Sequence, residues 1–245
     1  MFLLTSLVAC LILALVMPFL GRRVLERRIV FVDLALTQFA ATGYAIGLAT
    51  DSSGTLWAGG ITLLAVFAFA ALPYASKLPK EAVMGAMYAV AAAAGMVILT
   101  QLPHAEGHMT DLMFGSLLGA SWFDLEVLAG LGLLAVVILR FACGDSYVQR
   151  LMFYLALALA VVPAIHAVGV VLVFGMLLLP ALAAWRGERN GPVWLALTVS
   201  ISGAILGVLS AEHLDLPPSS SVVLALFACG LPVFIWWSKK TEKSG

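Results

Sequence analysis

The sequence predicts an all-α, polytopic membrane bundle of about eight or nine transmembrane helices, and three observations carry that prediction. Of its 245 residues, 63% are hydrophobic and only 11% charged, whereas soluble domains average about 25% charged residues. Apolar runs long enough to cross the hydrocarbon layer as helices, which takes about 20 residues, recur from one end to the other. Within them polarity does not alternate residue by residue, as it would in the strands of a membrane barrel. The mean hydropathy of +1.09 agrees, and one transmembrane domain over residues 1–245 accounts for the chain.

The first run, Phe2 to Leu20, is followed rather than preceded by arginines, which describes a membrane helix and not a removed signal, despite the lipoprotein-like Leu7-Val8-Ala9-Cys10. Further spans are Ile29 to Thr50, Leu56 to Ser76 and Ala82 to Gln101. Residues Leu112 to Phe141 are too long for one straight crossing, and the pattern breaks near Ser121 to Glu126. A short run, Leu151 to Ile165, precedes Ala167 to Trp185, Val193 to Ser210 and Ser221 to Trp237. Cys10, Cys143 and Cys229 are scattered and act as small apolar residues. Gly43 and Gly47 form a GxxxG suited to close helix packing.

The connections fix an orientation, because cytoplasmic loops collect Lys and Arg. All 13 basic residues fall on one side: Arg22, Arg23, Arg27, Arg28, Lys77, Lys80, Arg140, Arg150, Arg186, Arg189 and the Lys239, Lys240, Lys243 tail. The N-terminus is therefore expected outside and the C-terminus in the cytoplasm. The opposite face holds Asp51, Glu106, Asp111, Glu212 and Asp215, with all four histidines, His104, His108, His166 and His213. Excluding Lys and Arg from outer loops leaves acids there by default, but it does not account for the histidines. Imidazole is a common zinc ligand, and His104, Glu106 and His108 offer three donors within five residues. With His213 and Asp215 they make a candidate external capture set, one that suits Zn²⁺ better than Mn²⁺ or Fe²⁺. His166 reads as a helix-end residue.

Four patches along the chain resemble the permease subunits of bacterial ABC importers for zinc, manganese and iron. Arg27-Arg28-Ile29-Val30-Phe31 leading into Ala35-Leu36 and Gly43 is similar to that family's second-helix signature, RRMVF then GDALSHA. Glu81 to Gly85 and Tyr88, followed by Phe114-Gly115-Ser116-Leu117-Leu118, resembles its central stretch. Val168 to Val173 with Leu177-Leu178-Leu179-Pro180-Ala181 resembles VGVLLVSALLIIPA, and Leu209-Ser210 with Leu214-Asp215-Leu216-Pro217 and Ser219 resembles LSYxLDLPSG. The resemblance implies a homodimer around a central pathway, a cytoplasmic ATPase subunit on each protomer, an external metal-binding protein and a multi-pass location in the bacterial cytoplasmic membrane. Zn²⁺, or else Mn²⁺ or Fe²⁺, is then a transported substrate and not a resident cofactor. No nucleic acid is implied. The chain has no GxxxxGK[ST] phosphate loop, so it does no bond chemistry and the motor must be a partner. The turn after Pro180 is the expected ATPase contact, through Trp185, Arg186, Glu188 and Arg189; a plain positive-inside anchor is the simpler alternative.

The second helix departs from the family pattern. The family places an Asp and a His four residues apart on one helix face; the aligned positions here are Leu34 and Gln38. The acid stands one residue earlier, at Asp33, turned about 100° around the helix onto the face of Thr37. A carboxyl inside a membrane helix costs ~3 kcal/mol on insertion scales and tends to face a bundle interior or an aqueous path. Asp33, Thr37 and Gln38 are therefore candidates for the metal pathway, the competing role for Asp33 being structural, near the cytoplasmic end of its helix, paired with Arg27 or Arg28 or favoured by the helix N-terminus. Two other functions fit the residues: a permease for metal chelates such as siderophores or corrinoids, and a proton-coupled secondary carrier titrating Asp33.

Overall fold

The computed structural model describes residues 2–72, 79–101, 121–186 and 189–242. Helix α1, Phe2–Arg27, leads through a tight turn into α2, Val32–Ala49, and then α3, Gly54–Ala71, and α4, Lys80–Leu99. Helices α5, Trp122–Phe141, α6, Tyr147–Val168, and α7, Val170–Ala183, follow. A two-residue ribbon, β1 Trp185–Arg186 antiparallel to β2 Arg189–Asn190, precedes α8, Val193–Leu214, and α9, Pro218–Glu242. Seven of these helices are long and apolar enough to cross a membrane. The remaining two are α7, an apolar helix of 14 residues, and α2, which carries the polar residues of interest.

Sequence composition explains where the elements begin. Ser121 accepts from the Asp124 amide and donates its own amide to the Asp124 carboxylate, so α5 starts with a capping box at the break the hydropathy pattern indicated. Ser146 and Gln149 do the same for α6, which extends the expected short span to 22 residues. Helix α1 likewise continues past the expected end at Leu20, so Arg22, Arg23 and Arg27 sit on the helix and not in a loop. Hydropathy marks where charges begin, and cations in a last turn suit the negative end of a helix. Arg28, at φ 53, then reverses the chain, with the Ile29 amide reaching back to the Val24 carbonyl.

Helices α1 and α6 form the centre, with 61% and 56% of their membrane-crossing windows buried inside the protein. In α4, α5 and α9 the shares are 22–28%, and residues such as Val90, Val97, Phe123, Leu133, Leu224 and Phe227 face outward, as surfaces bathed by lipid chains do. Helices α2 and α3 touch backbone to backbone. A Cβ at Gly43 would lie 2.6 Å from the Trp57 carbonyl oxygen, and one at Gly47 would collide with Gly54. The GxxxG therefore serves packing within the protomer. At one end of the bundle Arg150, buried, donates from Nε to the Ala70 carbonyl at 2.8 Å and from Nη1 to Asp145, tying the loop before α6 to the end of α3.

Candidate functional site: a cleft along α2, α4 and α7

On α2, Leu34, Thr37, Gln38 and Ala41 recur at helical spacing and line one side of a cleft of about 480 Å³. Tyr88, Gly95 and Met96 of α4 face them, and Val170, Val171 and Phe174 of α7 close the third side. Two devices hold these walls in place. Thr42 Oγ donates to the Ala91 carbonyl at 2.8 Å, and the distance to the Gln38 carbonyl is 2.7 Å, so α2 and α4 are bonded where Gly95 lets them approach. The α6–α7 junction is made by Gly169 at φ 86, a left-handed value that favours glycine, and the Val168 carbonyl there accepts from the buried Ser219 hydroxyl at 3.1 Å. That break turns the first residues of α7 toward the cleft.

The cleft offers neutral donors. Gln38 and Tyr88 are half-buried in its wall, while the Thr37 hydroxyl is engaged with the Asp33 carbonyl one turn back. An amide and a phenol are weak ligands for a divalent ion compared with carboxylate or imidazole. Leu34 and Gln38, the positions aligned with the family's Asp and His, thus both line the cleft, and neither brings a charge to it.

Asp33 takes a different direction. It is 2% exposed and does not line the cleft, and its Oδ1 has no hydrogen-bond partner among the described residues. Nor does it form an ion pair with Arg27 or Arg28 among them. Arg27 instead donates to the Ala142 carbonyl at 2.6 Å and lies 4.0 Å from the centroid of the Phe153 ring, and Arg28 is exposed. A carboxyl buried without full hydrogen bonding is costly, but Asp33 stands in the first turn of α2, where the positive end of the helix favours an acid.

His213 and Asp215 are exposed at the end of α8, where Asp215, at φ 49, caps the helix. His104, Glu106 and His108 lie outside the described residues. Among the described residues no group of three or more His, Cys, Asp or Glu is arranged to hold a metal. Trp185 is half-buried in β1, with Arg186 beside it and Arg189 opposite in β2; Glu188 lies outside the described residues. Of the α2 residues singled out from the sequence, Thr37 and Gln38 line the cleft and Asp33 does not; the α7 residues that close it were not singled out as site residues. The one legible hint on α4 was Tyr88, a polar aromatic in an otherwise apolar run.

Comparisons with known proteins place this architecture. The fold superposes on PsaBC from Streptococcus pneumoniae, solved in complex with a Fab, with a TM-score of 0.74 and 20% identity over 95% of this chain and 91% of that one. The manganese transport system membrane protein MntC of Halalkalibacterium halodurans is 25% identical over 241 residues, 89% of this chain and 82% of its own length. The chelated iron transport system membrane protein YfeD of Yersinia pestis is 30% identical over 173 residues, 62% of this chain. That match spans 58% of YfeD, and other relatives are matched over 55–62% of their own lengths. Residues 1–148 and 141–236 match the ABC 3 transport family. With two family matches that together run through nearly every helix, the chain belongs to the ABC 3 transport family, as a multi-pass membrane protein.

Proposed function

We propose that the chain is the permease of an ATP-driven importer for a divalent metal ion, Zn²⁺ first, with Mn²⁺ and Fe²⁺ as alternatives, and that it works as a homodimer. The observation that carries this function is the cleft itself. Its α2 wall includes Leu34 and Gln38, the two positions aligned with the family's intramembrane Asp and His, here reduced to a single amide. Weak ligands let an ion leave as well as enter, and the motor supplies the free energy for direction.

Thr37 and Gln38 belong to the pathway in this conformation. Asp33 is the carboxylate nearest to them on α2 and completes the proposed set from behind the wall, since it does not itself line the cleft. Selectivity then falls to the outer loops, with His104, Glu106, His108, His213 and Asp215 receiving the ion from an external binding protein. Zinc is favoured by that imidazole content. The segment containing Trp185, Arg186, Glu188 and Arg189 docks the ATPase on the cytoplasmic side, the N-terminus being outside.

A second substrate class has its own support. A cleft of about 480 Å³ with uncharged walls is in the range of small-molecule sites and far larger than a bare ion, and one relative is named for chelated iron transport. A cation delivered inside a chelate needs no ligands from the permease.

Vesicles carrying the permease, its ATPase and its binding protein test both. Gln38→Leu is expected to lower ATP-dependent Zn²⁺ uptake about tenfold, ~1.4 kcal/mol in barrier, with assembly unchanged. Unaltered uptake by that variant removes the cleft from the pathway. Uptake seen only when the metal is supplied with a chelator selects the second class.

A further inference from the structure

The C-terminal parts of α1 and of α5 converge on a second concavity, of about 350 Å³, away from the cleft. Arg22 and Arg23 enter it from α1 and Arg140 from α5, with Glu26 as the only acid among the described residues of its lining. Three guanidiniums thus stand against one carboxylate. Arg23 pairs with Glu26 at 3.3 Å, but both side chains are about 40% exposed, so the pair is weak. Its other terminal nitrogen donates to Cys143 Sγ at 3.4 Å, which fixes the guanidinium against the loop after α5.

The pocket is not uniformly charged. Phe19 and Val136 line it one turn toward the middle of their helices, about 6 Å along the axis from Arg23 and Arg140. Both lie inside membrane-crossing windows, Leu4–Arg27 and Trp122–Phe141. The site therefore runs from an apolar wall at hydrocarbon depth to a cationic rim. Trp194, next to the lining residue Val193, is 62% exposed beside it, and tryptophan is the residue type that settles at headgroup level.

We propose that this pocket binds an anionic phospholipid, its phosphodiester on Arg22, Arg23 and Arg140 and an acyl chain along Phe19 and Val136. Arginine forks match phosphate oxygens in geometry and charge, and basic pockets between membrane helices suit anionic headgroups. Placing Arg140 in the last turn of its helix also satisfies that helix dipole, yet that alone requires neither a pocket nor convergence from two helices. An acidic surface of a soluble partner could meet the rim but would not reach the apolar wall. Inorganic phosphate shares the headgroup chemistry and lacks the chains.

The test uses the full chain with its ATPase subunit, extracted from vesicles of one part phosphatidylglycerol to four of phosphatidylcholine, with retained lipid measured by mass spectrometry. Phosphatidylglycerol is expected at about fivefold or more above its share of the bulk, since each arginine near a membrane surface contributes on that order. Arg22→Gln with Arg140→Gln should return it to the bulk ratio, whereas Arg28→Gln, which removes an exposed charge elsewhere, should not. Retention at the bulk ratio by the unaltered protein overturns the proposal, and does so whether or not the double variant folds. Two other results also overturn it: displacement of the lipid by excess inorganic phosphate, which makes the site one for free phosphate, and a double variant that keeps the lipid but sheds the ATPase, which makes the rim a protein contact.

Discussion

Helix α2 meets its surroundings in two ways. Toward α3 it presents Gly43 and Gly47, and the two backbones touch with no room for a methyl group. Toward α4 and α7 it presents Leu34, Thr37, Gln38 and Ala41 to open space. One face is closed by contact and the other is kept open by it, so the same helix is both anchor and cleft wall. The contrast predicts that substitutions on the packed face cost folding and those on the open face cost transport.

The largest effect is expected at Gly43. A leucine there drives its Cβ to 2.6 Å from the Trp57 oxygen and 2.7 Å from the Ala58 Cα, both of them backbone atoms that cannot rotate away. Destabilisation of about 3 kcal/mol or more follows, visible as loss of the monodisperse peak and of thermal stability in detergent. Normal stability would mean that α2 and α3 are not held this closely.

Asp33 sharpens the comparison because it sits between the two faces. The amide of Asp33→Asn is nearly isosteric and removes a buried ionisable group, so folded protein is expected in normal yield, with uptake lowered about tenfold, ~1.4 kcal/mol. Loss of folded protein instead would assign Asp33 to the packed face. The smallest effect is expected at Thr42, which bonds α2 to α4. Thr42→Val removes one interhelical hydrogen bond, worth about 1 kcal/mol in a membrane. A shift in melting temperature with little change in uptake is the expected signature.

Much of this arrangement was legible in the sequence, for reasons that also mark the limit. Apolar runs report membrane-crossing helices and the GxxxG reports close approach, so the helices and a tight contact at Gly43 and Gly47 could be read, but not that α3 makes it. Helix ends could not be read from hydropathy alone: α1 persists through Arg27 because backbone bonding does not stop where charge starts. The α2 side of the cleft follows from the spacing of Leu34, Thr37 and Gln38. Its far walls do not, because Tyr88 and Phe174 reach it through contacts between segments distant in sequence, which no periodicity encodes. Asp33 shows the same boundary. That it faced away from Gln38 was a matter of helix geometry, whereas its burial without a partner on Oδ1 depends on what packs against it.

The central claim is that a divalent metal ion is the cargo of a motor coupled to this chain. Its most direct test is ATP hydrolysis by the reconstituted complex, with the binding protein present, screened over Zn²⁺, Mn²⁺ and Fe²⁺. Stimulation by at least one of them, largest for Zn²⁺, is the predicted result. An active motor that responds to none of the three would contradict it.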